Sequence, residues 1–109
     1  MRLIVDNIAI HAGVGIYKLE RVIKRLIVLN LDLDVSECRG VVDYDLVVNE
    51  VKKVCGLRHY DYIEEISFAV RQGISKTFKI EEEKICIKIS KPNIKKDLFY
   101  EVNIAGGSL

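Results

Sequence analysis

From Leu26 to Val35 the sequence reads LIVLNLDLDV. Ile27, Leu29, Leu31, Leu33 and Val35 take every second position, and Val28, Asn30, Asp32 and Asp34 fill the gaps. Side chains of a strand point alternately to two faces, so only an extended strand puts these five aliphatics on one side. The pattern predicts a strand over about residues 23–35 with one face in a core. Such a strand needs a sheet partner and a covering layer. ICIKIS, residues 85–90, repeats the pattern: Ile85, Ile87 and Ile89 face one way, Cys86, Lys88 and Ser90 the other. This strand is expected to stop at Lys91-Pro92, where the chain's one proline holds the preceding lysine extended.

The rest of the chain supplies the partners. Residues 2–10, rich in Leu, Ile and Val, read as a strand, and HAGVGIYKLER, with Gly13 and Gly15, reads as a loop joining it to the next. Residues 36–40, SECRG, read as a turn. Asp43 is placed as the N-cap of a helix over 44–55, with Val47, Val51 and Val54 at helical spacing. After GLRH, a second helix over about 61–79 carries the stripe Ile63, Ile66, Val70, Ile74, with Asp61 able to cap it. Gly73 interrupts that helix. Glu81, Glu82 and Glu83 read as a solvated loop. A last strand, about 97–104, has Leu98, Tyr100, Val102 and Ile104 on one face, and IAGGSL reads as a frayed end. The expected fold class is α+β, order β-β-α-α-β-β, in one domain spanning 1–109, with both helices on one face of an antiparallel sheet. Its outer strands leave edges that invite pairing with further copies.

Composition narrows the function. The chain carries 17 basic and 16 acidic residues, a net charge of +1, which argues against a dedicated nucleic-acid or membrane-surface protein. No apolar run approaches the roughly 18 residues of a membrane span. Asp6 and Asn7 interrupt the N-terminal stretch, unlike a signal peptide. Cys38, Cys55 and Cys86 are widely spaced, with no CxxC pair, and read as reduced thiols of a cytoplasmic protein rather than metal ligands.

Four polar residues stand where chemistry could use them: Glu20 in the loop GIYKLER, Tyr44 at the first helix start, Glu64 in the first turns of the second helix, and Lys91 at a strand end. Each also has an ordinary structural role. Glu20 beside Arg21 suits a surface ion pair, Tyr44 a packed ring with a wet hydroxyl, Glu64 a helix dipole, and Lys91 a solvated strand end. His11 and His59 are isolated in sequence, and GVG lacks the context of a dinucleotide site.

Taken together, GVGIYKLERVIKRLIVLNLDL, VVDYDLVVNEV, YDYIEEISFAV and IKISKPN resemble, in order, the signature segments of the dihydroneopterin aldolase family. The likeness runs from about residue 2 to 104. It implies the tunnelling fold, in which four subunits join their sheets into a barrel and two rings stack into an octamer. It implies a pterin substrate, no cofactor and no metal, and active sites between subunits. By the same resemblance Glu64 anchors the pterin ring and Ile63 offers it a backbone group. Lys91 is the catalytic lysine, Tyr44 the proton-relaying tyrosine and Glu20 the loop glutamate near the substrate side chain. Two departures stand out: DVSECRGVVD before Tyr44 is several residues shorter than in relatives, and basic Lys24-Arg25 replaces the usual glutamine.

The implied activity is retro-aldol cleavage of 7,8-dihydroneopterin. Three alternatives stay open. The first is a 2′-epimerase of the free or triphosphorylated pterin, which Lys24 and Arg25 keep in play. The second is an aldolase in which Lys91 forms a Schiff base. The third is a non-catalytic oligomeric binding or structural module.

Overall fold

The computed structural model describes residues 1–36, 38, 42–93 and 98–100. Its elements run β1 (Arg2–Ala12), α1 (Lys18–Val22), β2 (Arg25–Asp34), α2 (Tyr44–Gly56), α3 (Ile63–Phe78), a 3-10 turn (Glu82–Lys84), β3 (Ile85–Asn93) and β4 (Leu98–Tyr100). The strands form one antiparallel sheet in the order β1-β2-β3-β4.

The alternation in β2 and β3 does what its period dictates. Ile27, Leu29, Leu31 and Leu33 are buried, as are Ile85, Ile87 and Ile89, and these side chains face α2 and α3. Those helices bring Val47, Val51 and Val54, and Ile63, Ile66, Val70 and Ile74, to the same core. Each such side chain contributes about 1.5–3 kcal/mol relative to exposure. The other sheet face carries Arg2, Asn30, Asp32, Cys86 and Lys88; Arg2 and Asp32 pair there at 2.7 Å. Gly73, which interrupts the helical pattern, lets α2 and α3 approach closely. A Cβ there would sit 2.9 Å from Glu50 and Val54 side-chain atoms.

Strand β1 holds a feature its sequence does not announce. Val5 pairs with Leu31 and Ile8 with Leu29, so Asp6 and Asn7 together oppose Asn30. This bulge shifts the parity of burial: Leu3 and Val5 face the core before it, Ile8, Ile10 and Ala12 after it. Asn7 takes a left-handed backbone, φ 59°, and its amide donates to Asn30 Oδ1 at 2.8 Å. Asparagine tolerates that conformation better than branched residues do.

Several expected boundaries move. The segment read wholly as a loop contains α1, and Lys24 lies before β2 rather than in it. Asp43 caps α2, accepting from the Asp45 amide at 2.9 Å. Asp61 does not cap α3; Tyr62 is its N-cap residue, and the Glu65 carboxylate reaches back to the amides of Asp61 and Tyr62 at 2.9 and 3.0 Å. Glu82 and Glu83 lie in the 3-10 turn. Strand β3 does not end at Lys91. Its pairing with β2 reaches Ser90, and Lys91, Pro92 and Asn93 then pair with Tyr100, Phe99 and Leu98. Proline, lacking an N–H, suits the part of β3 that has left β2. Residues 37, 39–41, 94–97 and 101–109 lie outside the described residues. That takes with it most of the expected turn at 36–40, part of the expected last strand and the C-terminal end.

The bulge geometry predicts that Asn7→Gly stays close to wild type in urea unfolding. Asn7→Val is expected to lose about 1–2 kcal/mol. Equal midpoints for the two variants would contradict the assigned backbone.

Candidate functional site

Two glycines and a tyrosine build the site. The chain leaving β1 is stitched to the segment before α3 by a one-residue parallel bridge between Val14 and Tyr60. The Tyr60 amide donates to the Gly13 carbonyl at 2.8 Å, and the Gly15 amide donates to the Tyr60 carbonyl at 2.9 Å. Tyr60 is itself buried, and its hydroxyl donates to the Val54 carbonyl at 2.7 Å, tying the stitch to the end of α2. His59 Nε2 donates to the Gly15 carbonyl at 2.7 Å. The loop after β1 is thereby seated against the start of α3.

Gly15 is required where it stands. Its φ is 127°, and a Cβ would lie 2.3 Å from the Glu20 carboxyl. Past this glycine the chain makes the short helix α1, on which Glu20 turns back. Its Oε1 accepts from the Tyr17 amide at 3.2 Å, and its Oε2 accepts from Arg25 Nη1 at 2.7 Å. Lys91 Nζ stands 3.6 Å from the same Oε2. The expected surface pair with Arg21 does not form; Arg21 instead faces Asp61 at 3.6 Å. The Glu20 side chain is only 16% exposed and that of Lys91 22%. The Tyr17 amide above all, then the Arg25 guanidinium and the Lys91 ammonium, hold the Glu20 carboxyl below the usual glutamate range, against the opposing effect of burial.

Around this pair lies a cleft of about 280 Å³, lined by Gly15, Tyr17, Glu20, Tyr62, Ile63, Glu64 and Lys91 among others. Four of the five residues singled out from the sequence thus meet at one place: Glu20 from α1, Ile63 and Glu64 from the first turn of α3, Lys91 from β3. The exposed Glu64 has no hydrogen-bond or ion-pair partner among the described residues, so both its oxygens are free to accept. Tyr44 does not join them. It is 47% exposed at the start of α2 and does not line this cleft.

Two larger depressions exist, about 430 Å³ over the polar sheet face and about 650 Å³ between α2 and α3. The first has Asp6, Asp32 and Lys88 in its lining, and the second has Glu50, Glu64, Glu65, Lys53 and Lys76, but neither contains Glu20 or Lys91. Sequence reading missed Arg25 as the partner of Glu20. The five-residue offset across a tight helix and turn was the available signal. It also missed Tyr60, whose role depends on a long-range bridge.

No helix among the described residues is long and apolar enough to cross a membrane. The three cysteines are free, and burial pushes the Cys55 thiol up to about 11.

The model of the dihydroneopterin aldolase family (FolB) matches residues 3–105. Among solved structures, the chain is similar to a Vibrio cholerae protein assigned as a dihydroneopterin aldolase. The TM-score is 0.78 and the identity 20%, over 96% of this chain and 95% of the other. It is also similar to the E. coli dihydroneopterin aldolase crystallised with neopterin, with a TM-score of 0.80 and 15% identity over 96% of each chain. At these identities the structural likeness speaks for the fold. No curated protein matches the sequence.

Two outcomes follow from the Glu20 environment. A glutamate held low in the folded state contributes stability above its ordinary value of 4.5, and that contribution is lost as pH falls through the lower folded value. Glu20→Gln is therefore expected to be less stable than wild type at pH 7, with the gap closing below about pH 4.5 in thermal unfolding. Gly15→Ala is expected to cost about 1–3 kcal/mol, because the left-handed backbone is strained for alanine. Wild-type stability of that variant would contradict the close Gly15–Glu20 approach.

Proposed function

The chain belongs to the dihydroneopterin aldolase family, and on that premise we propose that it cleaves 7,8-dihydroneopterin by a retro-aldol reaction. The products are 6-hydroxymethyl-7,8-dihydropterin and glycolaldehyde, in the service of folate biosynthesis. One observation carries the reading: a free carboxylate, Glu64, shares a cleft with an amine, Lys91, that is paired to a second carboxylate, Glu20.

Each group has a task matched to its chemistry. The 2-amino-4-oxo edge of a pterin presents adjacent N–H donors, which a carboxylate accepts as a bidentate, charge-assisted pair; Glu64 is that anchor. Ile63, at the first turn of α3, offers a backbone group to the same ring. Lys91, directly or through water, takes the proton of the 2′-hydroxyl. The C1′–C2′ bond then breaks, glycolaldehyde leaves, and the bonding pair passes into the conjugated C=N of the dihydropterin ring. The ring is the electron sink, so the step calls for neither a metal nor a Schiff base. Tyr44 returns a proton to the enamine-like carbon, and Glu20, held by Arg25 and the Tyr17 amide, orients the water involved. The bond-breaking step is reversible, and re-addition to the other face of the aldehyde inverts C2′, so 2′-epimerase activity accompanies cleavage.

Tyr44 reaches the cleft from an adjacent copy in this reading. Support comes from its exposed position away from its own copy's cleft, and from the exposed Ile16, Leu19, Val22 and Ile23 on and beside α1. These apolar side chains, with the outer strands of the sheet, suit assembly into a tetrameric ring or a stacked octamer. The working protein is then a cytoplasmic homo-oligomer, inactive as a monomer, whose partners are its own copies and the pterin.

Lys91→Ala is expected to lower kcat on the order of 10²- to 10⁴-fold with assembly intact, read as hydroxymethyl-dihydropterin formation. Glu64→Gln is expected to weaken pterin binding about 10- to 100-fold. Normal turnover in the first variant, or unchanged affinity in the second, would overturn the corresponding role.

A further inference from the structure

Two cations meet Glu20, and they reach it from neighbouring strands. Arg25 opens β2 and shares the alternation of the buried Ile27, Leu29, Leu31 and Leu33. Lys91 extends the buried row of Ile85, Ile87 and Ile89 in β3. Leu29 pairs with Ile89 and Leu33 with Ile85, so the two rows run side by side on the helix-facing side of the sheet. Each row ends in a cation at the same end of the core, and α1 sets the Glu20 carboxylate against both.

The two contacts are not equivalent. Arg25 Nη1 donates to Glu20 Oε2 at 2.7 Å, a charge-assisted hydrogen bond. Lys91 Nζ stands 3.6 Å from the same oxygen, beyond hydrogen-bond range. Oε1 accepts from the Tyr17 amide at 3.2 Å. Both carboxylate oxygens therefore have a donor without the lysine. The Tyr17 amide, more than either cation, holds the Glu20 carboxyl in its charged form, so loss of Arg25 would leave a carboxylate facing Lys91 alone. The remaining charged and titratable groups of the cleft wall are Tyr17 beside α1, and Asp61, Tyr62 and Glu64 at the start of α3. Asp61 is shared with Arg21 at 3.6 Å. Strand β4 meets Lys91 through its backbone pairing with Tyr100.

We propose that Arg25 is a positioning residue of the reaction: as the fixed counter-ion of Glu20, it keeps that carboxylate from locking Lys91 into an ion pair and leaves the amine free to exchange a proton. The inference rests on the assignment of Lys91 as the base. Arg25 does not line the cleft, so it acts through Glu20 and Lys91 rather than on the substrate. A guanidinium suits the task because it stays protonated throughout the working pH range. Neutralising Arg25 has two effects of the same sign. Glu20 takes Lys91 as its counter-ion, and the repulsion between the two cations disappears. Both favour the ammonium over the free amine, so Lys91 gives up its proton at a higher pH. A base that must be neutral then works only at a higher pH.

The test uses the full chain in its native assembly. It compares Arg25→Gln, which keeps a donor and loses the charge, with Arg25→Lys, which keeps the charge. The Lys91 side chain is titrated by NMR with isotope-labelled lysine, its signal identified by its loss in Lys91→Arg. In Arg25→Gln the Lys91 midpoint is expected to rise by about one pH unit, and in Arg25→Lys to stay near wild type. In a Glu20→Gln background, Arg25→Gln is expected to move that midpoint much less. An unchanged midpoint in Arg25→Gln, or equal movement in both backgrounds, overturns the proposal. Steady-state cleavage of dihydroneopterin supplies the second readout. Arg25→Gln is expected to lower kcat at pH 7 about tenfold, with recovery at higher pH and KM little changed, while Arg25→Lys restores the profile. A loss of equal size at every pH, or the same loss in Arg25→Lys, marks a merely structural hold on Glu20 and also overturns it. A Lys91 midpoint that moves as expected in a protein that cleaves no dihydroneopterin sinks the aldolase reading and leaves the control of Lys91 by Arg25 standing.

Discussion

The site depends on a two-hydrogen-bond clasp between the backbone of Gly13 and Gly15 and the backbone of Tyr60. Nothing in the sheet alone would bring the chain leaving β1 to the start of α3, because those segments are almost fifty residues apart in sequence. The clasp is short, but buried Tyr60 and the His59–Gly15 bond hold it on either side. A backbone bridge of this kind fixes direction as well as distance. Glu20 is delivered by one strand of the clasp and Ile63 and Glu64 by the other.

The second requirement is that an amine meet Glu20 from a different layer. Strand β3 supplies it. Its inward-facing isoleucines fix the strand against the helices, and Lys91 follows at the point where β3 parts from β2 and pairs with β4. Arg25 and Lys91 then share one carboxylate oxygen, at 2.7 and 3.6 Å. The shorter contact belongs to the arginine, whose guanidinium cannot give up its proton. In the proposed mechanism this leaves the lysine next to Glu20 without being its principal counter-ion, a suitable place for a group that must exchange protons.

How much of this could be read beforehand differs by residue, for physical reasons. Strands β2 and β3 and both long helices were legible because a period of two or of 3.6 persists over enough positions to exclude the other. The bulge at Asp6-Asn7 was not, since it depends on which residue of β2 lies opposite. The helix α1 was hidden by its length of five residues and by a cap made by Glu20 rather than by a serine, threonine, asparagine or aspartate at its start. Glu20, Glu64 and Lys91 stood where chemistry could use them, but each alone suits a bland surface role, and only the family resemblance joined them into one site. Their convergence required the clasp, which joins residues with no local sequence relation. Tyr44 shows the reverse case. The resemblance singles it out, yet within one chain it stands apart from the others.

The most direct test of the account is a crystal structure of the wild-type protein with neopterin bound. The account predicts the ring edge on the Glu64 carboxylate and the hydroxylated chain running toward Lys91 and Glu20, with an adjacent copy's Tyr44 closing the pocket. Neopterin bound elsewhere, in the groove between α2 and α3 or over the polar sheet face, with Lys91 and Glu20 untouched, would contradict it.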